Sequence, residues 1–136
     1  MGASALAAAF LLPACGAEGG DGGAGAAAPP SPAIELRVEF LPKGTGAGGE
    51  SATLTCDPVG GTHPRPEEAC TALDAQADAL APVPADAVCT QIYGGDETAT
   101  VNGVVHGQEV DAKFNRTNGC EIARWDALTP LLDLRR

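Results

Sequence analysis

Aromatic residues are scarce, with three Phe, one Trp and one Tyr in 136 residues. Alanine supplies much of the apolar count, so the core is expected to be thin, and a small domain buries proportionally less surface than a large one. Basic residues are also few, 8 Lys and Arg against 18 Asp and Glu, which gives a formal charge of −10. Nucleic-acid recognition demands clustered Lys and Arg, so that class of partner is excluded. The acidity secures solubility and names no partner. Histidine appears only at His63 and His106, and the five cysteines include no Cys-x-x-Cys pair. Zinc sites usually present their ligands in close pairs, so neither a metal site nor a cofactor is expected.

The apolar run ALAAAFLLPA, residues 5–14, is too short to span a membrane as a helix but has the length of a signal-peptide core. It ends at Leu12-Pro13-Ala14-Cys15, which resembles the lipobox of bacterial lipoproteins, where the cysteine is lipidated and becomes the mature N-terminus. The plain alternative is a secretory signal with a chance cysteine. The expected organisation is a signal peptide over residues 1–14, a flexible Gly/Ala/Pro tether over 15–32, and one domain over 33–136. The folded part is then nearer ~100 residues, a common size for one domain. Cys15 would carry the lipid and anchor the protein to a membrane. Export would let the remaining four cysteines, Cys56, Cys70, Cys89 and Cys120, form two disulfides.

Order should begin where Ile34, Leu36, Val38 and Phe40 alternate with Glu35, Arg37 and Glu39, the period of a half-buried strand. SATLTC, residues 51–56, reads as a second strand, and DPVGGTHPRP as a run of turn formers. After Pro66 the composition is helical, with acidic residues at the positive end of the helix dipole and Ala69, Leu73, Ala77 and Leu80 on one face. Residues 97–115 read as a hairpin. A turn at Gly107-Gln108 sets Val105 opposite Val110, Gly103 opposite Ala112 and Val101 opposite Phe114 on one buried face. Gly103 then becomes a bulge or a close-packing position. A short helix from about Ile122 to Leu128, stopped by Pro130, completes an α+β fold with an antiparallel sheet of about five strands and two short helices. Judged alone, Cys89-Thr90-Gln91-Ile92-Tyr93 is most simply an edge strand, although Gly94 and Gly95 loosen its exit.

Taken together, TLTCDPVGGTHPRPEEAC, CTQIYGG and FNRTNGC resemble the Streptomyces subtilisin inhibitor family of secreted serine-protease inhibitors, over about Glu35 to Cys120. The resemblance implies that fold and the pairings Cys56–Cys70 and Cys89–Cys120. On the chain-entropy model the first loop would stabilise the fold by about 3 kcal/mol and the second by a little under ~4. It also implies a substrate-like inhibitor whose reactive bond lies two residues past the third cysteine, at Gln91–Ile92. Gln91 would enter the protease's specificity pocket, Thr90 and Cys89 would precede it, and Asn118 would hydrogen-bond the loop from behind. Tyr93 would pack the far side of the loop onto the domain. Gln91 is neutral and moderately long, which suits the broad, largely apolar pockets of subtilisin-like proteases better than a pocket built for Lys or Arg. Family members form two-fold homodimers through a sheet face, so a homodimer is implied as well.

Two other classes compete. A Cys–His enzyme would need a free thiol, which the disulfide reading removes, so no catalytic residue is expected. A cell-surface lipoprotein module could keep the inhibitor fold without inhibiting a protease, and Gln91 with Gly94-Gly95 is what relaxed inhibition would leave.

Overall fold

The structure, a computed structural model, describes residues 31–135. The signal peptide, Cys15 and nearly all of the tether lie outside the described residues. Strands β1 (Ile34–Leu41) and β2 (Glu50–Cys56) are followed by helix α1 (Pro66–Gln76), which tightens into a 3-10 turn at Ala77–Leu80. Strands β3 (Gly95–Val105) and β4 (Gln108–Arg116) come next, and then helices α2 (Gly119–Ala127) and α3 (Thr129–Leu132). The strands form one antiparallel sheet in the order β2-β1-β3-β4. Among the described residues the fold is therefore α+β with four strands, against the about five expected from sequence, and with three helices in place of two.

The missing strand is the stretch 87–93, which joins no ladder among the described residues. Ile92 spends its backbone N–H on Thr90 O at 3.0 Å, which bends the chain locally and removes a donor that an edge strand would need. Helix α1 ends earlier than the apolar pattern suggests, so Ala69 and Leu73 are buried while Ala77, in the tightened turn, faces solvent. Pro130 does not simply stop a helix. It sits in the first turn of α3, where its missing N–H costs nothing.

The alternation in β1 holds along its length, with Ile34, Leu36, Val38 and Phe40 buried and the charged residues between them exposed. Ala52, Leu54, Ala99, Val101, Ala112 and Phe114 extend that face across the sheet, and the helices cover it with Ala69, Leu73, Trp125, Leu128, Leu131 and Leu132. Trp125 meets Phe40 at 6.2 Å between ring centroids, so two of the five aromatics touch at the centre of the molecule. The hairpin register differs from the expected one by two residues, since Val105 faces Gln108, Gly103 faces Val110 and Val101 faces Ala112. The turn is His106-Gly107, with φ of 48° and 82°, the positive-φ pair that matches the twist of two-residue hairpins. Because the slip is even, the buried face is unchanged. Gly103 is a close-packing position, where a Cβ would come within 2.0 Å of Glu35 O on β1.

Two motifs separated in sequence are joined by the turn after β2. Thr53 N donates to Thr62 Oγ1 at 2.9 Å, Thr62 N returns a bond to Thr53 Oγ1 at 3.1 Å, and His63 N donates to Thr53 O at 2.9 Å. This stitching drives the His63 imidazole inward. There Nε2 donates to Leu131 O at 2.9 Å and Nδ1 accepts from Arg65 N at 3.0 Å. His63 is buried, and desolvation holds its pKa below the usual 6.5, against the Leu131 bond that raises it and with the Arg65 charge that lowers it. Cys56 and Cys70 are bonded, tying β2 to α1.

Candidate functional site

The segment between the 3-10 turn and β3 runs outside the sheet, interrupted early by Pro82 and Pro84, and nearly all of it is exposed. Gln91 and Ile92 stand at its outer part, with Ile92 51% and Val88 99% exposed. Large apolar side chains exposed in this way have given up burial that stabilises a core residue by roughly 1.5–3 kcal/mol, so the sequence here is not serving the fold. What holds the loop lies at its two ends.

On the upstream side Cys89 is bonded to Cys120 in α2. Next to it, Thr90 O accepts two backbone bonds, from Gly119 N at 2.8 Å and from Ile92 N at 3.0 Å. Gly119 can approach this closely because it has no side chain; a Cβ there would lie 3.1 Å from Thr90 Cβ. Asn118 does not reach the loop as the resemblance implied. Its Oδ1 accepts from Glu121 N at 3.0 Å and caps α2, a common use of Asn at a helix start. The capped helix then presents the Gly119 N–H to the loop, so the support from this corner is a backbone bond.

On the downstream side Gly94 N donates to Arg116 O at 2.7 Å, and Arg116 Nε donates back to Gly94 O at 3.3 Å. Gly94 also lies against α2, where a Cβ would meet Ile122 Cδ1 at 2.9 Å and Arg116 Nε at 3.1 Å. The glycine pair is therefore a fastening and not the loose exit it resembled in sequence. Tyr93 is not packed onto the domain: it is 65% exposed, and its hydroxyl donates to Asp96. Its partner Asp96 is exposed, so the phenol stays at the surface.

The frame behind these contacts is itself anchored. Arg124 of α2 donates through Nε to Ala79 O at 3.1 Å and through Nη1 to Lys113 O at 3.1 Å and Glu121 at 2.9 Å, with its guanidinium 4.4 Å from the Phe114 ring centroid. One side chain thus joins α2 to β4 and to the turn that leads into the loop. Among the described residues no group of three His, Cys, Asp or Glu is placed to hold a metal. His63 is committed to the core, and His106 lies in the hairpin turn. The arrangement offers a braced, solvent-facing peptide bond.

Residues 33–118 match the family model described as "Subtilisin inhibitor-like". The chain belongs to the subtilisin inhibitor-like family. This is a family of protease inhibitors and not of enzymes. The chain is similar to subtilisin inhibitor-like protein 1 of Streptomyces cacaoi, 38% identical over 82 residues, which covers 57% of this chain and 74% of that protein. It is also similar to a subtilase-type protease inhibitor of Streptomyces fradiae, 42% identical over 74 residues, covering 52% of this chain and 51% of that one. Among solved structures, Streptomyces caespitosus sermetstatin in complex with Bacillus licheniformis subtilisin aligns with a TM-score of 0.45 and 26% identity, over 71% of this chain and 96% of that one.

Proposed function

We propose that this protein inhibits subtilisin-like serine endopeptidases by offering Gln91–Ile92 as a substrate-like bond. The observation that carries this reading is the double bracing of one exposed peptide bond, upstream by Cys89–Cys120 and Gly119 and downstream by Gly94–Arg116. A protease binds its substrate through main-chain hydrogen bonds that resemble strand addition. A loop already held in place loses little conformational entropy on docking, and that saving becomes affinity.

The reaction can then begin without finishing. The protease serine oxygen bonds to the Gln91 carbonyl carbon, the Gln91 C–Ile92 N bond breaks, and Ile92 N takes up the serine's proton as an amine. In a substrate that amine diffuses away. Here the fastened strand keeps it beside the acyl carbon, and its return expels the serine and restores the peptide.

Gln91 suits a broad apolar pocket, and the names of the relatives point to subtilases as targets. Incubation with subtilisin at low enzyme ratio, followed by peptide mapping, tests the reading: slow cleavage at Gln91–Ile92 is expected, and rapid digestion elsewhere with no inhibition would reject it. Export, a lipid on Cys15 and a homodimer belong to the same proposal. The LPAC sequence supports the anchor. The outer sheet face, with Val104 40% exposed beside the Gly103 depression, supports two-fold association.

A further inference from the structure

We infer that Arg116 is a positioning residue that holds the departing side of the cut loop and so sets how often a broken Gln91–Ile92 bond is rejoined. This rests on the reading of Gln91–Ile92 as the reactive bond. Cleavage there leaves two ends held by different means. The upstream end, Gln91, lies two residues past a covalent fastening at Cys89, and the carbonyl of Thr90 between them stays on Gly119 N. The downstream end begins with the new Ile92 amine. Beyond the bond that Ile92 itself makes to Thr90 O and the hydroxyl bond of Tyr93 to Asp96, the first residue fastened through its backbone is Gly94. Both backbone polar groups of Gly94 go to the same residue, its N–H to Arg116 O at 2.7 Å and its carbonyl to Arg116 Nε at 3.3 Å. Two residues of chain reach at most about 7 Å, so the amine stays close to the acyl carbon for as long as this clasp is closed. A reactant confined in that way acts at a high effective concentration.

The guanidinium is built into the frame and does not hang free. Nη1 lies 3.4 Å from Asp126 Oδ1, and Cζ lies 5.8 Å from the Trp125 ring centroid. Trp125 is buried and packs against Phe40, so the clasp is referred to the core through two contacts. Arg116 is also the sheet partner of Gly95, where β3 starts. The pairing Gly95–Arg116 is followed by a break in register before Ala99, so the backbone ladder alone does not secure this corner.

The test compares the wild-type chain with Arg116→Ala and Arg116→Lys on prolonged incubation with catalytic subtilisin. It reads the equilibrium ratio of cut to intact inhibitor and the rate at which purified cut inhibitor is resealed. Arg116→Ala should raise the cut fraction and slow resealing, each by about tenfold, the size expected for one charged hydrogen bond. Arg116→Lys, which keeps a cationic donor, should recover part of both. An unchanged ratio and resealing rate in Arg116→Ala, with wild type cut at Gln91–Ile92, overturns the inference and leaves the proposed function standing. A wild type that is neither bound nor cut there overturns the function itself. Should Arg116→Ala not fold, Gly94→Ala, which forces the strand off Ile122 and Arg116, must show the same rise or the inference fails.

Discussion

Thr90 and Gly94 do more for the loop than the residues its sequence advertises. Thr90 O gathers bonds from Gly119 and Ile92, and Gly94 is gripped from both sides by Arg116. These are backbone bonds or bonds to backbone, and a sequence carries no direct sign of them. Cys89 and Cys120 were legible because a disulfide needs a cysteine at each end. Asn118 and Tyr93 stood out by type but serve a helix cap and an exposed bond to Asp96. Gly94 and Gly119 were visible only as glycines. Their function as close approaches depends on what lies 3 Å away, which is a fact of tertiary structure. On the proposed reading, the side chain of Gln91 would decide the target at this scale. Replacing Gln91 by Lys should strengthen inhibition of trypsin by at least about tenfold, since a cation then enters a pocket built around a carboxylate. A trypsin inhibition constant that does not move in Gln91→Lys would reject Gln91 as the residue that enters the pocket.

Among the elements, β1 was the most readable because strict alternation over seven residues, Ile34 to Phe40, admits one buried face. The hairpin was readable as to face and misread as to register, for a definite reason. A shift of two residues leaves the same side chains inward, so apolar pairing could not distinguish the two turns, and backbone conformation at His106-Gly107 did. Helix α3 was missed because Pro130 reads equally as an end or a beginning. Its position depends on His63, whose neutral imidazole bonds Leu131 O from 68 residues away. In the folded state burial lowers the His63 pKa below 6.5, while the unfolded chain keeps the ordinary value. Between those two values the unfolded state binds more protons, so stability is full above about pH 6.5 and falls as pH drops toward the folded value. Protonation would also turn Nδ1 into a donor facing the Arg65 N–H. Urea melts between pH 7.5 and 5 should show falling stability in the wild type. His63→Gln should flatten that slope, and an identical slope in the variant would show that other groups cause it.

Across the whole molecule the sheet separates two ends. The chain comes into β1 beside the hairpin turn, where His106 N donates to Ala33 O at 2.8 Å. The braced loop enters the sheet at Gly95, the opposite end of β3, and 11 residues of strand span roughly 35 Å. A molecule held by its N-terminal side therefore turns Gln91–Ile92 away from the support. Attaching the protein to a bead through Ser31 should leave subtilisin inhibition close to that of the free protein. Attachment through the 42–49 loop, which lies against Asp96 at the same end as the braced loop, should weaken it, and equal inhibition by both forms would contradict this orientation.

The last turn of the chain has a consequence for where the molecule can be shortened. Leu128, Leu131, Leu132 and Leu134 are buried, and Trp125 meets Phe40. A polypeptide stopped at Asn118 would leave Cys89 as an odd thiol and Phe40 facing water. On the proposed reading it would keep the residues of the loop without a floor to hold them, and would be cut by the protease instead of stopping it.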